Sequence, residues 1–205
     1  MTFPSDPDAQ VLGLFWLLRL DGPLPAAVEP EQPATFLQAS LEDSAELAVA
    51  MGLDDIEPVL QRFARGCQCH ITRINGQLVG YGWITFAEER IGSLGLRVRL
   101  QPGEAYIWDC ATLAAYRGQR LYPALLSSML RALHAAGYWR IWIGMDADNL
   151  ASQAGVARAG FRLIAGLQQA QHASTHPFQI LGSPDASEQE VRDASTVLLG
   201  ERQRP

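Results

Sequence analysis

A short turn, Tyr116-Arg-Gly-Gln-Arg-Leu-Tyr122, carries two guanidinium groups, Arg117 and Arg120, around Gly118, just ahead of an apolar helical pattern. Such a turn leaves main-chain N–H groups without intrahelical partners at the positive end of a helix dipole. The chemistry it suits is capture of an anion, and with two arginines added the natural occupant is a diphosphate. Before the turn lie Glu104, Tyr106 and Asp109, residue types that accept or hold protons; after it come Asn149 and Ser152, which donate and accept hydrogen bonds. Together they read as a phosphate cradle beside a cleft.

The elements that must position these residues are legible in order. Residues 105–113 are apolar apart from Asp109 and Thr112 and read as a buried strand. Along it Glu104, Tyr106 and Trp108 share one face, and Asp109 lies on the other unless a bulge shifts it. A helix opens at Pro123, with Tyr122, Leu125, Leu126, Met129, Leu130 and Leu133 on one face and Gly137 as its stop. Residues 138–145 are aromatic and β-branched, a second buried strand. Strand, helix and strand with short links give a parallel pair and a right-handed crossover. Asn149 then opens a short helix ending in Gly160-Phe161.

Upstream, residues 11–18 are apolar and read as a strand; the run is too short for a membrane span and is preceded by Asp6 and Asp8 rather than by positive charge. Four prolines between Asp21 and Pro33 mark a loop. Residues 36–51 show rough helical register with Gly52 as a stop, and a second helix is capped by Asp54 or Asp55, with Pro58 in its first turn and Gly66 at its end. Residues 67–74 and 77–86 flank Asn75-Gly76, the strongest two-residue hairpin signal. Residues 94–100 are a further strand and 162–169 a last one; residues 1–10 and about 183–205 read as loose termini, the latter with a short helix as the alternative.

The turn, followed by Asn149-x-x-Ser152 and then Gly160-Phe161, resembles the coenzyme A site of the GNAT N-acyltransferases. The family pattern in the turn is Arg/Gln-x-x-Gly-x-Gly/Ala; this chain keeps Arg117 and Gly118 but carries Arg120 and Tyr122 where small residues are usual. The resemblance implies an α/β fold of one GNAT-like domain over residues 1–205, a mixed sheet flanked by helices on both faces. It implies acetyl-CoA or another acyl-CoA as cosubstrate, and transfer of a short acyl group to a primary amine of a small molecule or peptide by direct attack. Arg117, Gly118, Gln119, Arg120, Leu121 and Tyr122 would hold the diphosphate, Thr112 and Leu113 the thioester end, and Asn149 and Ser152 the pantetheine arm. Asn149 also fits a plain helix cap, and both roles can coexist.

For the base, the family's strand position appears in this chain as Tyr106, a poor base at neutral pH. Glu104 is the first choice, with a solvated turn residue as the alternative; Asp109 is the other carboxylate, or else half of a structural ion pair. The family's usual acid, a Tyr seven residues after the Asn, is Val156 here, which leaves Tyr122 or a water to protonate the leaving thiolate. An acyl-CoA-binding sensor without turnover is therefore the alternative to an enzyme, and a ligand-free scaffold a third reading.

Composition narrows the partners. The net charge is −6 and all 16 basic residues are arginine, without a basic stripe; this argues against nucleic acid and anionic membrane and excludes lysine nucleophiles. Three cysteines without a signal peptide point to a reducing cytoplasm. Cys67-x-Cys69-His70 lacks a second ligand pair, with His134, His172 and His176 in unrelated segments, so no metal is expected. Between Arg19 and Arg62 nine acids stand without a base: they wall an acceptor pocket for a cationic amine, or they form a solvated face of two surface helices. A homodimer is compatible with this reading.

Overall fold

The computed structural model describes residues 10–92, 95–170 and 178–200. Its organising element is a sheet in the order β10-β9-β1-β8-β7-β4-β3-β2. The strands are β1 (Val11–Arg19), β2 (Thr35–Gln38), β3 (Gln68–Ile74), β4 (Gln77–Thr85), β7 (Glu104–Thr112), β8 (Arg140–Asp146), β9 (Arg162–Gln169) and β10 (Phe178–Gly182). β5 (Glu88–Ile91) and β6 (Leu96–Arg99) form a separate two-stranded ribbon. Among the described strands only β7 and β8 pair in parallel, so the sheet is mixed, as expected.

Asn75-Gly76 makes the expected hairpin: both residues have positive φ, 51° and 82°, and Ile74 stands opposite Gln77. β1 is a strand as expected, but it lies inside the sheet, antiparallel to β8 on one edge and to β9 on the other. The last strand of the sheet is thus not β9; β10 pairs outside it.

Helices cover both faces. α3 (Leu121–Ala135) and α4 (Leu150–Arg158) pack on one face, where Leu125, Leu126, Met129 and Val156 meet Ile107, Ile141 and Ile143. Each such buried side chain contributes about 1.5–3 kcal/mol. The opposite face is covered over β3 and β4 by α1 (Ser44–Ala50) and α2 (Glu57–Ala64), and over β1 and β9 by α5 (Glu188–Leu199) and the ribbon.

Three expectations need correction. The helix read over 36–51 is a strand, β2, and then a 3-10 turn, Leu41–Asp43, opened by a capping box of Ser40 and Asp43 and leading into the α-helix at Ser44. The segment from 183 is no loose end up to residue 200. Ser187 and Glu190 form a second capping box, Gly200 closes the helix, and Ala194, Val197 and Leu198 are buried against the sheet. α3 opens at Leu121, two residues ahead of Pro123. His172, His176 and residue 94 lie outside the described residues. No helix among the described residues is long and apolar enough to cross a membrane.

Candidate active site

The site is a gap in the sheet. The β7–β8 ladder runs from Glu104–Arg140 to Ile107–Ile143 and then stops, although β7 continues to Thr112 and β8 to Asp146. The cause is a bulge in β7. Trp83 stands opposite Trp108 and Tyr81 opposite Ala111, so β7 uses one residue more than β4 over this stretch. Asp109 takes the left-handed conformation there, φ 42°, and its Oδ2 accepts from Arg62 Nη1 at 2.5 Å. The Arg62 guanidinium lies 5.0 Å from the Trp83 ring and 4.5 Å from the Trp108 ring, so stacking and charge together pin the bulge.

On the α3–α4 side of the gap is a cavity of about 690 Å³. Its floor is the turn. Gly118 (φ 80°) and Arg120 (φ 57°) both adopt the left-handed region; Arg120 thus stands, in a glycine-like conformation, where the family pattern has its glycine. The main-chain N–H groups of residues 118–122 donate to no acceptor among the described residues, and a Cβ added at Gly118 would meet nothing within 4 Å. Arg117, Arg120 and Arg158 line this cavity against one carboxylate, Glu31, which pairs with Arg120 at 3.2 Å. Free amides, open space and an excess of positive charge fit a diphosphate.

Not every residue expected here faces the cavity. Gln119 is absent from the lining; its carbonyl accepts from Glu31 N–H at 3.0 Å and its side chain bonds Gln32, which ties the turn to the 31–32 loop. Leu113 is also absent, and its N–H is used up by Val79 O at 2.8 Å in the β4 ladder. Thr112 does line the cavity, its carbonyl accepting from Arg117 Nε at 3.2 Å. Arg158, in the last turn of α4, was missed by the sequence reading; as one basic residue in a short helix it carries no signal of its own.

On the other side is a second cavity of about 410 Å³, walled by Phe15, Tyr106, Trp108, Met145 and two carboxylates, Asp109 and Asp146. Among the described residues no basic one lines it. Cys110, Tyr122, Asn149 and Ser152 line both cavities, so they form the wall where the two spaces meet. Asn149 caps α4, its Oδ1 accepting from Ser152 N–H at 3.0 Å. The Tyr122 hydroxyl and Ser152 Oγ are 3.2 Å apart. Burial pushes the Tyr122 and Tyr106 hydroxyls and the Cys110 thiol well above their usual ranges, so each keeps its proton. Tyr122 has room because of Gly155, where a Cβ would lie 2.5 Å from Tyr122 Cδ1. Val156, the family's tyrosine position, is fully buried in the core.

Glu104 is corrected. It sits at the far end of β7 from the gap, with its side chain fully buried; Arg140 donates to Oε1 at 2.9 Å and Gln101 N–H to Oε2 at 2.8 Å, and it lines neither cavity. The acidic run between Arg19 and Arg62 resolves the same way. Asp43 and Glu46 pair with Arg73 and Asp21 with Arg19, and of the nine acids Glu31 alone lines either of these two cavities, the cationic one. Cys67 and Cys69 are buried beneath α1 and α2 as free thiols, and among the described residues no group of three His, Cys, Asp or Glu is placed to hold a metal. Trp83 is core and Trp108 lines the second cavity.

The sequence model of the acetyltransferase (GNAT) family matches residues 31–161. The chain belongs to that family. Among solved structures, a GNAT-family acetyltransferase from Colwellia psychrerythraea superposes with a TM-score of 0.56 at 15% identity, over 85% of this chain and 57% of its own. A GCN5-related N-acetyltransferase from Sphaerobacter thermophilus gives 0.54 at 18%, over 76% and 50%. A ribosomal-protein-alanine N-acetyltransferase from Brucella melitensis gives 0.55 at 18%, over 72% and 96%. At these identities the likeness is one of fold, and the chain spans about half the length of the first two. Among curated proteins none matches the sequence.

Proposed function

We propose that the protein moves an acetyl or other short acyl group from coenzyme A to a primary amine, by direct attack within a ternary complex. What supports this is the shared wall: a cationic cavity and an acidic one meet through the β7–β8 gap at Cys110, Tyr122, Asn149 and Ser152. A diphosphate-bearing donor and an amine acceptor are drawn by opposite charge to opposite sides of one opening.

The residues take separable roles. The amides of 118–122, with Arg117, Arg120 and Arg158, hold the diphosphate. Main-chain groups of β7 past the bulge pair with the pantetheine arm, while Asn149 and Ser152 border it. When bound, coenzyme A supplies the acyl group as an activated thioester. Asp109 keeps Oδ2 on Arg62 and leaves Oδ1 for the proton that the attacking amine releases. Tyr106, still protonated, is no base. Tyr122 Oη, poised by Ser152, carries the proton that the departing sulfur takes.

Titration of Arg117→Ala with acetyl-CoA tests the donor side. A charge-assisted hydrogen bond contributes about 1.5–3 kcal/mol, so affinity falls roughly ten- to hundredfold. Unchanged affinity would remove the turn from the site.

A further inference from the structure

Acyl transfer as drawn gives Tyr106 no task, yet the fold places it where the sheet opens. It is only 4% exposed and lines the acceptor cavity beside Phe15 and Trp108. Tyr106 stands opposite Trp142, but its hydroxyl lies over Gly144, two residues further along β8, where a Cβ would sit 3.0 Å from it. That is the first rung past the last β7–β8 pair, Ile107–Ile143, and Gly144 itself lines the cavity. A side chain at 144 would crowd the phenol; glycine lets it reach the gap. The hydroxyl makes no hydrogen bond among the described residues, and burial holds its proton on. Buried hydroxyls are nearly always paired, so a protonated, unpaired one at a cavity marks the seat of a ligand's hydrogen-bond acceptor.

We infer that the acceptor is an amino amide, whose carbonyl oxygen accepts from the Tyr106 hydroxyl while its amino nitrogen attacks. This rests on the acyl-transfer reading above. The group facing Tyr106 must be a hydrogen-bond acceptor, since the hydroxyl keeps its proton. It must be uncharged. Among the described residues no cation lines the cavity, and Arg62, outside the wall, is taken by Asp109, so a carboxylate here would be buried without a partner. It must also stand close to the amine. The hydroxyl reaches the level of Trp108, and Asp109, which receives the amine's proton, is the next residue on β7. A carbonyl one carbon from the amino group meets all three needs, whereas a plain alkylamine leaves the hydroxyl unpaired. In the transfer the nitrogen gains the acyl carbon as the C–S bond breaks. Its proton goes to Asp109 and the sulfur takes one from Tyr122, so Tyr106 selects the substrate and exchanges no proton.

Calorimetric titration of the full chain, with coenzyme A present, compares glycinamide with isobutylamine, which matches it in size but lacks the carbonyl, and with glycine. The preference for glycinamide over isobutylamine falls about tenfold in Tyr106→Phe, and the amines' own basicity cancels between the two proteins. Tyr138→Phe, which lines neither cavity, preserves the preference. Glycine binds more weakly than glycinamide. Tyr106→Phe melts no lower than wild type, because it removes a buried hydroxyl that no protein group satisfies. An unchanged preference, no binding of glycinamide, glycine bound as tightly as glycinamide, or a lower melting temperature overturns the inference. The readout is binding: glycinamide held through Tyr106 without thiol release from acetyl-CoA would uphold this inference and sink the transfer reading instead.

Discussion

Gly155→Ala probes the wall between the cavities with one methyl group. The new Cβ would lie 2.5 Å from Tyr122 Cδ1 and 2.9 Å from Cε1. Carbon atoms in contact prefer about 3.5–4.0 Å, so the ring must retreat by about 1 Å. The Tyr122 hydroxyl starts 3.2 Å from Ser152 Oγ, and a shift of that size carries it out of hydrogen-bond range. Overpacking costs about 1–3 kcal/mol, while replacing a helical glycine by alanine returns about 1 kcal/mol. The net loss is thus about 0–2 kcal/mol, a fall of at most ~8 °C in Tm for a chain of this size. The rate suffers more: a displaced general acid lowers kcat about a hundredfold. Coenzyme A affinity, held by amides of the turn, changes less than about threefold. Thermal melting, coenzyme A titration and thiol release from acetyl-CoA measure the three quantities. A variant that melts higher, by the full helix gain, and turns over at the wild-type rate would refute both the placement of Tyr122 and its role.

Three more perturbations separate structure from chemistry. His70 is buried, its ring nitrogens make no hydrogen bond, and burial lowers its pKa to about 4. The unfolded chain takes up a proton below about pH 6.5 that the folded chain refuses, so stability drops by about 3 kcal/mol as pH falls toward 4. His70→Phe flattens that slope in urea titrations at neutral and acid pH; equal slopes would contradict the burial argument. Glu104→Gln breaks a buried ion pair with Arg140 and costs about 3–5 kcal/mol, with kcat per folded molecule unchanged. Lost turnover in a stably folded Glu104→Gln protein would restore Glu104 as base. Arg120→Gly relieves a left-handed φ of 57°, worth about 1 kcal/mol, and gives up a half-exposed pair with Glu31. Melting temperature holds or rises while coenzyme A affinity falls; a large destabilisation would contradict the strain argument.

Much of the fold could be read because local signals agreed with tertiary need. The apolar face of 122–133, Asn75-Gly76 and the aromatic run 138–145 each point to one element, and each forms it. Placement was harder. The apolar pattern of 11–18 specifies a doubly covered strand but not its neighbours, and its insertion between β8 and β9 is a long-range pairing that no local residue encodes. Residues 36–51 were misread because Phe36 and Leu37 fall into helical spacing with Leu41 and Ala45, although the Ser40–Asp43 capping box was visible. At the site, glycine and arginine in the turn pointed to the segment whose free amides line the cationic cavity. Sequence alternation put Glu104 and Tyr106 on one face, which is correct, yet it could not show that Glu104 lies at the wrong end of the strand, tied to Arg140. The surroundings of Tyr122 were legible only in halves. A tyrosine in a small residue's slot and Val156 in a tyrosine's slot looked like two defects, and neither showed that Gly155 leaves room for the Tyr122 hydroxyl to reach Ser152.

The central physical claim is that the unpaired amides of 118–122 bind the diphosphate of coenzyme A. Amide hydrogen exchange, followed residue by residue with and without coenzyme A, tests it most directly. The account predicts strong slowing at Gly118, Gln119, Arg120, Leu121 and Tyr122, with little change in α5. Exchange at those five amides that coenzyme A leaves untouched while it binds would contradict it.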